Sequence, residues 1–327
     1  MRRIGFVLRR FGSRSLQALA LGLRAILPDS ALRVVRRRAS RYGDGQAPHL
    51  HRFARGLAEL LWHAGIPPAV STFAVEEGSG FARLVRCDSQ IAARLYWLGS
   101  DGWEPTLVPY WRIACSGAKR ITELGANVGY FSVVGGLATS GQYLAVEPHP
   151  VSAAVLRHNI AANGLLATVH VVEAAASPFD DRRQVTLSVP VVDRYSAPAG
   201  AFVDPADQRR GSRSTFRVGT IPVTEALAGS DLVKIDVEGM EAPLIEAARS
   251  ELLARLPTIF LEVIDAEVAL REVISSMLST SKYRILLPIS GGLTEIVAEE
   301  FPKAFLQQAH QTRDLILTAD PVLLNLL

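Results

Sequence analysis

The sequence predicts an α/β protein built on a Rossmann-like, mostly parallel sheet with helices on both faces and a helical extension at its N-terminus. Three observations carry this. From Arg120 onward, short β-branched runs alternate with helix-competent stretches of 10–15 residues, the pattern of βαβ units. The first of these runs ends in a glycine-containing turn, Gly125 to Gly129. Apolar residues make up 49% of the 327-residue chain, enough for a sizeable core.

In chain order, residues 1–70 read as a basic helical extension, with apolar residues interleaved among arginines. Residues 71–119 read as an approach segment packing on the core: a strand over Phe81–Cys87, a turn at Gly99–Gly102 and a helix from Pro105 to Ser116. Residues 120–327 form the main domain. Its strands are expected at Ile121–Leu124, Tyr143–Val146, Thr168–Val172, Leu232–Val237, Thr258–Val263, Tyr283–Pro288 and Asp314–Thr318. Helices are expected after the glycine turn and over Val151–Asn163, Met240–Leu256 and Glu267–Leu278. Pro178 to Arg217 is rich in Asp, Arg, Pro, Gly and Ser. It breaks the rhythm and reads as an inserted loop or hairpin.

Composition excludes several functions. The net charge of +3 divides into a basic arm over residues 1–41, about +10, and a body of about −7. A nucleic-acid binder would carry its basic surface on the folded domain, so no nucleic-acid partner is expected. Cys87 and Cys115 make no metal-binding spacing and no disulfide framework, which suits a cytoplasmic protein. The most apolar stretch, Ser15 to Leu27, is interrupted by Arg24 and makes neither a membrane span nor a signal peptide. The arm's arginines, interleaved with Leu, Ile, Val and Phe, allow peripheral contact with an anionic membrane; a soluble helical cap is the alternative.

Three motifs carry chemistry. Glu123-Leu-Gly-Ala-Asn-Val-Gly129 joins the first main strand to its helix, where ligands of open α/β sheets bind. Gly125 and Gly129, with Asn127 between them, do not make the dinucleotide fingerprint G-x-G-x-x-G, which counts against NAD, and no phosphate-loop lysine is present. An acid at the strand end, Glu123, repels pyrophosphate but suits a cation such as the aminoacyl end of S-adenosylmethionine. Ala145-Val-Glu147-Pro148 ends the second strand, 24 residues past Glu123, where an acid can accept bonds from ribose hydroxyls. Glu123, Gly125, Asn127, Gly129 and Glu147 are therefore the candidate cofactor-binding residues.

The third motif is Leu232-Val-Lys-Ile-Asp-Val-Glu-Gly-Met-Glu241. Alternation along a strand puts Val233, Ile235 and Val237 on one face and Lys234 with Asp236 on the other. A lysine in a central strand is costly unless paired, and Asp236 is its nearest partner. Lys234 and Asp236 are the candidate catalytic pair. Glu238 and Glu241 fit the start of the next helix, where dipole complementation and capping explain them. Asp236, Glu238 and Glu241 also have the chemistry of a divalent-metal site, although no metal ligand is assigned.

Together with Leu98-Gly-Ser-Asp-Gly-Trp-Glu104-Pro105, these motifs resemble the FkbM-family methyltransferases over roughly Tyr96 to Pro288. The resemblance implies a class I methyltransferase fold with a seven-stranded sheet and S-adenosylmethionine as methyl donor. It further implies a hydroxyl acceptor on a small molecule, such as a sugar, a glycolipid or a natural product. Glu123 stands where the family more often has aspartate, and Trp103 where it more often has tyrosine. Two rival readings are a nucleotide-dependent oxidoreductase on a similar sheet and a non-catalytic membrane-surface adaptor. The missing fingerprint weighs against the first, and the intact Glu123, Glu147 and Asp236 against the second.

Overall fold

The computed structural model describes residues 29–39, 48–63, 71–78, 80–181, 183–190, 202–203, 213–263, 267–301 and 312–327. Most of the basic arm, residues 1–28, lies outside them, and with it the proposed membrane contact. The chain divides into two units, Met1–Pro105 and Thr106–Leu327. The boundary falls inside the segment read from sequence as 71–119, so its hairpin belongs to the first unit and its last helix to the second.

In the first unit, helices α1 (Asp29–Ala39) and α2 (Pro48–His63) accompany an antiparallel hairpin and a helix. The hairpin is β1 (Thr72–Glu77) with β2 (Gly80–Val85), and the helix is α3 (Gln90–Leu98). Arg36 of α1 donates to the carbonyls of Tyr96 and Ala74, both at 2.9 Å, and stacks on the Tyr96 ring at 4.5 Å. This arginine is committed inside its own unit and is not available as a surface cation. Among the described residues no helix is long and apolar enough to cross a membrane.

The second unit opens with α4 (Val108–Gly117), which starts three residues later than the sequence suggests because Pro105 to Leu107 form a turn. There follow β3 (Arg120–Leu124), α5 (Tyr130–Ala138), β4 (Gln142–Val146), α6 (Pro150–Ala162) and β5 (Val169–Val172). Next come β6 (Ala175–Ser177), β7 (Gln184–Pro190), β8 (Phe202–Val203) and β9 (Arg213–Pro222), then α7 (Val223–Leu227) and β10 (Leu232–Ile235). The remainder is α8 (Glu241–Ala247), α9 (Arg249–Arg255), β11 (Thr258–Glu262), α10 (Val268–Thr280), β12 (Arg284–Ile289), β13 (Gly292–Ile296), β14 (Asp314–Thr318) and α11 (Pro321–Leu324).

The main sheet runs β13-β12-β14-β11-β10-β3-β4-β5. Strands β5, β4, β3, β10 and β11 are parallel, and β14 is antiparallel between β11 and β12. This is the Rossmann-like, mostly parallel sheet that the sequence predicts. The seven strands expected are present, and β13 adds an eighth at the edge. It pairs with β12 through a two-residue turn, Ser290-Gly291, and both Gly291 and Gly292 have positive φ, the turn chemistry of a tight hairpin. The inserted segment is also a sheet, of order β6-β9-β7-β8, with Ala175, Leu187, Val189 and Val218 as its core.

Strand order along the chain reverses between the parallel neighbours β3 and β10, and both stand centrally in the sheet. One face buries Val233 and Ile235 with Ala226 of α7, Leu244 of α8, Leu252 of α9 and Ile274 of α10. On the other, the Trp111 ring of α4 meets Phe131, Tyr143 and Phe260 edge-on. The predicted division of the Leu232–Val237 strand into an apolar face and a Lys234 face is therefore observed, although β10 ends two residues earlier, at Ile235.

Candidate active site

The glycine turn is dictated by backbone geometry. Gly125, Asn127 and Gly129 have φ of +85°, +49° and +84°, values that L side chains rarely adopt. A Cβ at Gly125 would stand 1.8 Å from the Asp236 carbonyl oxygen, and one at Gly129 would stand 2.2 Å from Leu156 Cδ1. The close approach these glycines permit is thus to the chain itself. Gly125 and Ala126 both donate to the Val146 carbonyl, at 2.9 and 3.0 Å, and Asp236 N–H donates to Leu124 O at 3.0 Å. Asn127 Oδ1 accepts from Val128 N–H at 2.8 Å, which steadies its left-handed backbone.

Glu147 ties the second strand end to this turn. Its Oε2 accepts from Asn127 N–H at 2.7 Å and its Oε1 from His149 N–H at 2.8 Å. Burial pushes its carboxyl up to about 7, against the pull of those two backbone donors. Each oxygen keeps acceptor capacity, so the carboxylate has room in its chemistry for two further hydroxyl donors. His149 is spent as the N-cap of α6 and meets the Phe216 ring of the insert at 5.2 Å.

Glu123 is the most enclosed acid, 1% exposed. Its Oε2 accepts from Ser132 Oγ and Tyr143 Oη, both at 2.5 Å. Burial raises its carboxyl, while Lys234 and the two hydroxyls oppose the rise. Sequence reasoning missed Ser132 and Tyr143. A signal existed for the second: Glu123 pairs with Ala145, and alternation along β4 returns Tyr143 to the same face.

Lys234 and Asp236 meet as expected, Nζ donating to Oδ2 at 2.7 Å. The lysine is 4% exposed, and its ammonium lies over the Phe131 ring at 4.6 Å. Asp236 opens to solvent with its side chain 26% exposed. Past it the chain turns sharply, with Glu238 at φ +55°. Glu241 holds that turn by accepting from Val237 N–H at 2.9 Å and Gly239 N–H at 2.8 Å. Burial and neighbouring acids push Glu238 up to about 8, and burial pushes Glu241 up to about 7.

Glu262 follows Asp236 across the sheet in the register Ile235↔Leu261, and Asp314 pairs with Glu262. Glu262 faces Arg313 at 3.5 Å, and burial lifts Asp314 to about 7. Asp314 was invisible to a local reading, because only the antiparallel return of β14 brings it here. Among the described residues no group of three or more His, Cys, Asp or Glu stands where it could hold one metal ion, so the triplet Asp236, Glu238 and Glu241 is not a metal centre in this arrangement.

The glycine turn, Glu147 and the Lys234-paired Asp236 stand at the carboxyl ends of β3, β4 and β10, in the order of the sequence motifs. Residues 123–284 match the methyltransferase FkbM domain. They are an FkbM methyltransferase domain. The FkbM domain thus spans the sheet from Glu123 of β3 to Arg284 of β12.

Among solved structures, the FkbM methyltransferase of Methylobacillus flagellatus is 15% identical, with a TM-score of 0.38 over 62% of this chain and 43% of that one. The present chain therefore spans less than half of that protein's length. The Bacillus cereus O-methyltransferase in complex with S-adenosylhomocysteine is 14% identical, with a TM-score of 0.37 over 65% and 80% of the two chains. A Thermotoga maritima S-adenosylmethionine-dependent O-methyltransferase is 13% identical, with a TM-score of 0.35 over 65% and 64%. No curated protein matches the chain.

Proposed function

We propose that this protein transfers a methyl group from S-adenosylmethionine to a hydroxyl of a small molecule, sugar, glycolipid or natural product. The observation that carries the reading is the contact of Gly125 with the Asp236 backbone, which sets the cofactor turn directly against the loop bearing the candidate base. The donor set fits the cofactor. Glu123 and Glu147 border the glycine turn, and the neighbouring Lys234 is paired with Asp236, which suits a cation and disfavours pyrophosphate.

Glu147 would accept the ribose hydroxyls, and Gly125, Asn127 and Gly129 would shape the turn around the cofactor. Glu123 would contribute a buried negative charge below the cationic end. When bound, S-adenosylmethionine supplies an electrophilic methyl on sulfur. Asp236 would take the acceptor's hydroxyl proton as the methyl group passes from sulfur to oxygen, the S–C bond breaking and the sulfur leaving as a neutral thioether, and Lys234 would fix the carboxylate that does so. The rest of the acceleration comes from holding acceptor and donor in line. The carboxylates Glu238, Glu262 and Asp314 around Asp236 are hydrogen-bond acceptors, which favours an acceptor carrying several hydroxyls.

Asp236→Asn keeps the side chain's size and removes the base. Methyl transfer from labelled S-adenosylmethionine into a fractionated glycan and lipid extract should fall roughly 10²-fold or more. Cofactor affinity by calorimetry should stay near normal. EDTA should leave wild-type turnover intact. Full turnover by folded Asp236→Asn protein would overturn the assignment, and loss of turnover in EDTA that magnesium restores would replace the base with a metal ligand.

A further inference from the structure

We infer that Tyr143 and Ser132 are positioning residues for methyl transfer: through the Glu123 carboxylate they fix Lys234, and through Lys234 they aim Asp236. This rests on the reading of Asp236 as the group that takes the acceptor's proton.

A lysine ammonium is a point charge on a flexible four-carbon stem, so its place is set by the acceptors around it. Lys234 has one at Asp236 Oδ2, 2.7 Å away. Glu123 is its register neighbour on the adjacent parallel strand, on the same face, and its charge and that of Lys234 attract each other. The Phe131 ring closes one side of the ammonium. Glu123 in turn is buried beyond the reach of water, and a carboxyl so placed tends to take a proton. Two hydroxyls donate to its Oε2 and resist that, Ser132 from α5 and Tyr143 from β4. Tyr143, Ser132, Glu123 and Lys234 are thus all buried, with Glu123 and Lys234 coupled by register and charge, and Asp236, which Lys234 meets, opens to solvent.

Neutralising Glu123 removes one of the negative charges that attract the ammonium. Lys234 then leans more on Asp236 and draws that carboxylate away from an incoming hydroxyl. The bland alternative is that Tyr143 and Ser132 merely satisfy a buried acid, which would affect stability and nothing else.

Full-length protein labelled with ¹³C at the aspartate carboxyls separates the two. The Asp236 resonance is identified by its disappearance in Asp236→Asn. Tyr143→Phe, Ser132→Ala and Glu123→Gln should each move that resonance at pH 7, and Tyr143→Phe should add nothing further in the Glu123→Gln background. The rate of methyl transfer into the same extract should fall about tenfold or more in each variant. An Asp236 resonance that stays in place in Tyr143→Phe and Ser132→Ala, with only the melting temperature lowered, would overturn the inference whatever becomes of the reaction. Full turnover by Asp236→Asn would instead overturn the function on which it rests, even with the resonance displaced. Tyr143→Phe keeps the ring that meets Trp111; if it does not fold, Ser132→Ala decides the matter alone.

Discussion

Each oxygen of Glu147 already serves one backbone N–H, so this side chain both builds the glycine turn and is offered to a ligand. Its carboxyl stands at about 7, and only the ionised form can accept from two ribose hydroxyls while keeping both backbone donors. Affinity for S-adenosylmethionine should therefore rise as pH increases through about 7. Glu147→Gln should weaken binding by about 1.5–3 kcal/mol, the worth of hydrogen bonds to a charged group, and flatten the pH dependence. Calorimetric titrations from pH 6 to 8.5 check this, and a wild-type curve as flat as the variant's would remove the assignment. The residues whose chemistry lies at short, fixed spacing were legible in the sequence: Glu123, Glu147 and the Lys234–Asp236 pair. Ser132, Tyr143 and Asp314 were passed over: Ser132 stands in the helix just past the glycine turn, Tyr143 shows itself only once β4 is aligned with β3, and Asp314 arrives through the antiparallel return of β14.

Strands and helices were legible wherever a run was long and periodic, and their ends were not. The helix read over Met240–Leu256 is two, α8 and α9, yet the ladder continues through the break. Ala248 N–H bonds Leu244 O, and Leu252 N–H bonds Ala248 O, both at 3.0 Å. The interruption is a bend at a small buried residue, which composition does not announce. The edge strand β13 was overlooked although Gly291-Gly292 marked its turn. The same scale governs the Asp236–Met240 loop, which Glu241 pins from the first turn of α8. Glu241→Ala leaves two backbone N–H groups without their acceptor and should cost about 1–3 kcal/mol in denaturant unfolding. Turnover should fall further than stability does, because Asp236 stands at the head of that loop. An unchanged unfolding midpoint would show that the two bonds contribute nothing.

Across the whole domain, the carboxyl ends of the central strands gather acids that folding makes reluctant to ionise. Glu147, Glu241 and Asp314 stand near 7 and Glu238 near 8. In the unfolded chain such groups titrate near 4, so between about pH 4 and 8 the folded state holds more protons. Stability without ligand should accordingly fall as pH rises through that window, being greater at pH 5.5 than at pH 8.5. A cationic cofactor offsets the repulsion it meets, so S-adenosylmethionine should raise the melting temperature more at pH 8.5 than at pH 6. Thermal melts at the two pH values, with and without cofactor, test both parts. A melting temperature that rises steadily from pH 5.5 to 8.5 without ligand would contradict the burial argument. Fold class was legible at this scale because βαβ alternation is a global signal. The unit boundary at Pro105 was not, because residues 71–119 read as one approach segment.

The contact between Gly125 and the Asp236 carbonyl has a dynamic consequence. Gly125, Ala126, Glu147 and Asp236 lie outside regular strands, yet their amides bond Val146, Val172 and Leu124, the ladder carried one step past its formal end. In hydrogen exchange these loop amides should therefore be protected with the core's cooperative unit and not with the fraying surface. The glycine turn and the Asp236 loop should open together, as one breathing mode where two independent loops would have two.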